Sequence, residues 1–155
     1  MSGVRVGVMG DSHCQSAADL DESVTEALAG CEYIVHLGDV SAADVLDRLE
    51  RIAPVIGVTS ETDPADARLV GTARALDVAG RTVAIRRSLA GDEMFGEEVD
   101  VVVHGGTHDH SIELRAGKLF VNPGSTRWAT RRPTLVILDL SDEGIGVEVV
   151  GVKDG

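Results

Sequence analysis

Three short stretches of the chain place carboxylates and imidazoles beside glycine: Gly10-Asp11-Ser12-His13, Gly38-Asp39 and Gly105-Gly106-Thr107-His108. Two carboxylates with two imidazoles make a donor set for manganese, iron, nickel or zinc, and ligand type alone does not choose among these ions. A fourth stretch, Asn122-Pro123-Gly124-Ser125, completes the pattern in chain order. Taken singly, each feature has an ordinary explanation. An Asp after a strand is usually a turn or cap residue, and a His beside Gly is usually a loop residue. The joint pattern is far more specific, because all three stretches follow apolar runs that read as strands.

Those strands come first in the positioning argument. Val4 to Met9 is a run of β-branched and apolar residues ending at Gly10, and Tyr33 to Leu37 is a second ending at Gly38. Between them, Asp19 to Ala29 has helical spacing and a stop at Gly30. Ala42 to Ile52 is the next helix, with Val45, Leu46, Leu49 and Ile52 on one face and Ser41 as its N-cap. Val55 to Gly57 is a third strand. Strand, helix, strand, helix, strand at this pace predicts a parallel sheet with crossover helices. In such sheets ligands bind beyond the carboxyl ends of the strands, where Asp11, His13 and Asp39 fall. Val99 to Val103 is another buried strand, and it leads to His108.

The second half reads as strand pairs. Ala75 to Ala79 and Thr82 to Ile85 flank a turn at Gly80-Arg81. Ile112 to Arg115 and Leu119 to Asn122 flank Ala116-Gly117-Lys118. Thr134 to Leu140 and Ile145 to Val152 close the chain. The expected architecture is a four-layer α/β/β/α sandwich, two facing mixed sheets with helices outside, formed by a single domain over residues 1–155. His36 lies inside a strand and is expected to be a packed core residue.

Composition limits the function classes. Hydrophobic residues make up 43% of 155 residues, enough for a packed core without disulfides. Cys14 and Cys31 lack metal-knuckle or redox spacing and are expected to be reduced thiols. The net charge of −12 repels nucleic acid phosphates, so no nucleic acid partner is expected. Lys118 and Lys153 are the only lysines among 14 basic residues. Two readings fit that balance, a salt-adapted protein from a halophile and an ordinary acidic cytosolic one. The N-terminal apolar run is too short for a signal peptide and no 18-residue apolar stretch follows, so a cytoplasmic protein with no membrane association is expected.

The motifs GDSH (10–13), LGDV (37–40), GGTH (105–108) and NPGS (122–125) resemble, in order and spacing over nearly the whole chain, the small prokaryotic phosphodiesterases of the calcineurin-like metallophosphoesterase superfamily. That resemblance implies an α/β/β/α sandwich, two metal ions and hydrolysis of phosphoesters. It implies that Asp11, His13, Asp39 and His108 are metal ligands, with Asp39 as the bridging carboxylate. The second site departs from the family pattern. Val58 takes the position of its asparagine, Arg87 that of a histidine after the Thr82-Ile85 strand, and Gly106 that of the first histidine in Gly-His-Thr-His. All four ligands of one metal are present and three of the other are absent. His104, His110, Glu61 and Asp63 are the residues near enough in sequence to rebuild it.

The expectation is therefore one divalent ion per chain and a hydrolase for a small phosphoester, with Asp39 holding the ion and Arg87 orienting the phosphate in place of the second metal. The alternative is a non-catalytic member that binds a metal, a phosphate compound or a protein partner. Substrate, metal identity, general acid and oligomeric state are left open. A nucleotide-binding domain of another kind is disfavoured, because the turn after the first strand has no Gly-x-Gly-x-x-Gly loop.

Overall fold

The first half of the chain winds three short parallel strands around two helices, and the second half pairs off into hairpins. The computed structural model describes residues 3–89, 94–105, 107, 109–126 and 132–153. The strands are β1 (Val4–Met9), β2 (Tyr33–His36), β3 (Val55–Gly57), β4 (Ala73–Val78), β5 (Arg81–Arg86), β6 (Val99–His104), β7 (His110–Arg115), β8 (Lys118–Pro123), β9 (Thr134–Ser141) and β10 (Gly144–Gly151). A single 3₁₀ turn (Ala17–Asp19) and helices α1 (Glu22–Leu28) and α2 (Ala43–Glu50) lie among them.

They form two mixed five-stranded sheets, in the orders β10-β9-β1-β2-β3 and β4-β5-β6-β8-β7. β1, β2 and β3 run parallel in the first, and β5, β6 and β8 in the second. The sheets face each other across one apolar layer. Val6, Val8, Val35, Leu37, Val136 and Leu138 meet Val83, Ile85, Val101, Val103 and Val121 there. The other face of the first sheet, through Met9, Ile34, Leu135 and Ile137, packs on Val24 and Leu28 of α1 and Val45, Leu46 and Leu49 of α2. Both described α-helices thus cover the first sheet. The outer face of the second carries a smaller patch, Ala84, Val99, Val102 and Phe120, with Leu89 and Phe95 against it.

Local boundaries differ from the sequence expectations for identifiable reasons. α1 begins at Glu22 rather than Asp19, because the Asp21 side chain accepts the Ser23 N–H and caps it. Asp19 is used one turn earlier, accepting the Gln15 N–H at 2.9 Å. Ser41 is not the cap of α2. Ala42 holds that place without a side-chain bond, and Ser41 has a left-handed backbone, φ 70°. Two of the hairpins turn on Ala79-Gly80 (φ 53° and 74°) and Ala116-Gly117 (φ 51° and 78°), two-residue turns with both φ positive. That geometry matches strand twist and leaves Arg81 and Lys118 as the first residues of their strands.

Gly7 on β1 is a packing glycine. A Cβ there would lie 2.3 Å from Leu28 Cδ2, so its absence is what lets α1 approach the sheet. Gly7→Ala should therefore displace a fully buried leucine and cost about 1–3 kcal/mol of stability. Urea denaturation reads this, and an unchanged midpoint would contradict the packing argument.

His36, expected as a core residue, is fully buried. Burial pushes its imidazole down from 6.5 to about 4, with the Asp63 carboxylate opposing and Arg87 adding to the shift. Between those two values the unfolded chain takes up a proton that the native state refuses, so stability falls as pH falls. The loss should reach about 3 kcal/mol near pH 4. Comparing unfolding free energies at pH 7 and pH 4.5 for the parent and His36→Gln checks this. The variant should lack that part of the acid slope, and equal slopes would remove His36 as its cause.

Candidate metal centre

β1 and β2 are adjacent and parallel, so the residues just past them emerge side by side at one end of the first sheet. The ladder continues into the loops. The Asp11 N–H donates to the Gly38 carbonyl at 3.0 Å and the His13 N–H to the Asp39 carbonyl at 2.9 Å. This zipping brings Asp11, His13 and Asp39 together, each offering a ligand atom within 4.8 Å of the others. Ligands about 2.0–2.2 Å from one ion stand up to about 4.4 Å apart. Two carboxylates and an imidazole at these separations fit a divalent transition ion. Among the described residues this is the one His/Cys/Asp/Glu group of that kind.

The backbone there is unusual. Asp11 (φ 51°), His13 (φ 46°), Asp39 (φ 55°) and Ser41 (φ 70°) all occupy the left-handed region. Non-glycine residues enter it at a cost and persist only where the surroundings hold them. Here hydrogen bonds hold them. Asp63, on the loop after β3, accepts the N–H groups of Asp39, Val40, Ser41 and Ser60 at 2.7 to 3.0 Å. The Ser125 hydroxyl donates to the Asp11 carbonyl at 2.6 Å. Below both loops, the His36 ring accepts the Gly38 N–H on Nδ1 at 3.1 Å and meets the Ser12 hydroxyl through Nε2 at 3.0 Å. With Nδ1 accepting, the neutral ring carries its proton on Nε2 and donates it to Ser12.

Arg87 follows β5 in the second sheet and reaches across to the first. Its Nη2 donates to Asp39 Oδ2 at 2.5 Å and lies 3.1 Å from Asp11 Oδ1, while Nη1 donates to the Leu37 carbonyl at 3.3 Å. Two glycines make room for it. A Cβ on Gly38 (φ 99°) would stand 2.8 Å from Arg87 Cδ, and one on Gly105 would stand 3.3 Å from Nη1. Burial opposes ionisation of Asp39. The Ser60 hydroxyl, the Asp11 carboxyl, the Arg87 guanidinium and the Thr62 hydroxyl outweigh it and hold the Asp39 carboxyl at about 2. Ser60 and Thr62 donate to Asp39 Oδ1 at 2.5 and 3.0 Å. A cavity of about 590 Å³ opens here, lined by Asp39, Thr59, Ser60, Glu61, Thr62, Thr72 and Arg87.

Of the four ligands implied by the sequence resemblance, three converge. His108 lies outside the described residues, as does Gly106. Thr107 between them is tied to the strand-end turn, its hydroxyl accepting from Asn122 Nδ2 at 2.7 Å. Val58 is fully buried in the layer between the sheets. The residues weighed for a rebuilt second site are disposed differently. His104 lies on the outer face of the second sheet, edge-on to Phe120 with ring centroids 6.5 Å apart. Burial lowers its pKa, with Arg115 adding to the shift. Both Asp63 oxygens are occupied by backbone N–H groups. Glu61 lines the cavity, and His110 opens β7 opposite Pro123. Ser60, Thr62 and the two hydrogen bonds made by the His36 ring carried no signal in the sequence pattern. Hydroxyls in a loop and one histidine in a strand are too common to single out.

Residues 4–143 match the model of the calcineurin-like phosphoesterase superfamily domain. The chain is 31% identical over 149 residues to a probable metallophosphoesterase of Methanocaldococcus jannaschii, covering 89% of this chain and 76% of that one. It is 28% identical over 156 residues to a probable metallophosphoesterase of Methanothermobacter thermautotrophicus, covering 94% and 91%. The solved structure of an archaeal phosphodiesterase superposes with a TM-score of 0.74 at 20% identity, covering 95% of this chain and all of that one. The family model spans most of the chain and the solved structure shares its fold of two mixed sheets, and the chain belongs to the calcineurin-like phosphoesterase superfamily.

Proposed function

We propose that residues 1–155 act as one domain, a metal-dependent phosphoesterase of phosphodiesterase type that hydrolyses a small phosphoester at a single divalent ion. Asp11, His13, Asp39 and His108 are assigned as the ligands. The observation that carries the reading is the position of Arg87, whose Nη2 stands between Asp39 Oδ2 and Asp11 Oδ1 at the edge of the cavity. A bound divalent ion supplies Lewis acidity and an activated water near neutral pH. Arg87 supplies what a second ion would otherwise bring, a fixed positive charge facing the phosphoryl oxygens. Its single charge leaves the centre less cationic than a two-metal one, and it activates no water. Ser60 and Thr62 keep Asp39 oriented and ionised. Glu61, across the cavity, disfavours substrates with additional negative charge nearby.

A second reading, a non-catalytic member that binds a metal, a phosphate compound or a protein partner, is favoured by Val58, Arg87 and Gly106 standing where second-site ligands would be. Metal analysis of purified protein, with hydrolysis of a chromogenic phosphodiester under Mn²⁺, Zn²⁺, Ni²⁺ and Fe²⁺, separates the two. The enzyme reading expects about one ion per chain and turnover. Metal bound with no ester turned over would establish the other.

Arg87→Ala should lower turnover about 10²–10³-fold, the usual cost of removing one preorganised charged donor, while metal content stays at the parental level. Parental activity in the variant would end the surrogate role. Asp39→Asn and Asp63→Asn should separate cleanly. The first removes a charged ligand and should weaken Mn²⁺ binding in a calorimetric titration. The second disrupts the backbone clamp and should lower the unfolding free energy by about 1.5–3 kcal/mol, with the smaller effect on metal affinity. Equal effects of the two on metal binding would overturn the assignment of Asp39 as a ligand.

A further inference from the structure

We propose that His36 is a positioning residue for the metal centre: its buried ring ties the loop carrying Asp11 and His13 to the loop carrying Asp39, and so sets the ligand spacing that determines metal affinity. The inference rests on the metal-centre reading above and adds a residue that touches no ligand side chain in the described contacts.

Three observations carry it. The ring makes one bond into each loop, to the Ser12 hydroxyl at 3.0 Å and from the Gly38 N–H at 3.1 Å. Ser12 sits between Asp11 and His13, and Gly38 immediately precedes Asp39, so each bond anchors a neighbour of a ligand. The main chain of the same residue holds a third loop, its carbonyl accepting the Val58 N–H at 3.1 Å, two residues before Ser60, which orients Asp39. His36 is also well placed to act as a fixed reference. It ends β2, which is paired on both sides, with Met9 of β1 and Gly57 of β3 as its register partners, and it is fully buried. Sites held by such elements keep their geometry better than sites held by loops alone. The loops need that support, since Asp11, His13 and Asp39 all have left-handed backbones.

A plain core residue would behave differently. Leucine fills similar volume but makes neither bond. It would leave the Ser12 hydroxyl and the Gly38 N–H, both buried, to find other partners, and both lie beside ligands. The two bonds can be separated chemically. Asparagine places an oxygen near the Nδ1 position and retains the acceptor for Gly38. Glutamine reaches the Nε2 position and retains the donor to Ser12.

The test is calorimetric titration of the full chain with Mn²⁺ alone, for the parent, His36→Leu, His36→Asn, His36→Gln and Ser12→Ala. Amide hydrogen exchange on the metal-free proteins accompanies it. Loss of a residue supporting metal ligands typically costs 10–100-fold in affinity. His36→Leu should weaken Mn²⁺ binding by about that factor, with Asn and Gln each recovering part. In the metal-free protein the Asp11 and His13 amides, which bridge the loops, should exchange faster in His36→Leu and Ser12→Ala than in the parent. Parental Mn²⁺ affinity together with parental exchange at those amides would overturn the proposal and leave His36 as packing only. If His36→Leu does not fold, Ser12→Ala decides by the same two readouts. A parent that binds no Mn²⁺ would count against the metal centre itself, and the exchange measurement would then judge His36 alone.

Discussion

Two carboxyl groups are gathered at the mouth of an apolar sandwich, and the organisation of this end of the molecule follows from what compensates them. Asp11 is almost fully buried and Asp39 is part-buried, so solvent screens them poorly. A guanidinium from the opposite sheet, Arg87, reaches both. This contact joins the two sheets at the centre and adds to the Ser60 and Asp11 hydrogen bonds that hold the Asp39 pKa down. It also explains why Gly38 and Gly105 flank the arginine, since a Cβ on either would intrude on it.

The same constraint shapes the loops. For side chains past β1 and β2 to converge, the backbone must turn sharply just after each strand, and it does so through left-handed residues of which Gly38 alone is a glycine. Such turns hold only if other groups restrain them. Asp63 grips the second loop through three backbone N–H groups and its own loop through the Ser60 N–H, Ser125 grips the first through the Asp11 carbonyl, and His36 grips both from beneath. The polar residues around the centre are thus divided in their work. Asp11, His13 and Asp39 face one another, while Asp63 and Ser125 bond the backbone and His36 bonds the Gly38 N–H and the Ser12 hydroxyl.

A guanidinium beside two carboxyl groups differs from a metal ion in more than charge. An ion draws ligands inward from all directions and polarises bound water, whereas a guanidinium is planar, donates through fixed N–H groups and holds no water in an activated state. In this chain the Arg87 side accordingly carries hydroxyl donors, Ser60 and Thr62, as further partners of Asp39. The His104 position illustrates the complementary point. β6 alternates, sending Val101 and Val103 into the layer between the sheets and leaving Val102 and His104 on the outer face. A histidine two residues from a ligand position in sequence is thereby turned away from the centre.

Much of this was legible in the sequence. Period and punctuation predicted the strands, the two helices and the change from crossovers to hairpins, because short apolar runs ending in Gly-Asp have few other uses. The residue types at Asp11, His13 and Asp39 pointed to metal chemistry for the same reason, since carboxylates and imidazoles at strand ends are donors wherever the ends meet. What the sequence could not supply was direction. The exact caps of α1 and α2 depended on which nearby side chain, Asp19, Asp21 or Ser41, was left over once tertiary hydrogen bonds had been made. Asp63 reads as a spare carboxylate in a loop, and only the approach of the Asp39 loop makes it a clamp. His36 reads as a core histidine, and it is one; its two bonds exist because β1 and β2 end side by side. The sequence by itself determined which groups were available, whereas the pairing of parallel strands and the closure of one sheet on the other decided which of them meet, because side-chain orientation is set by register and register is a property of the assembled sheets.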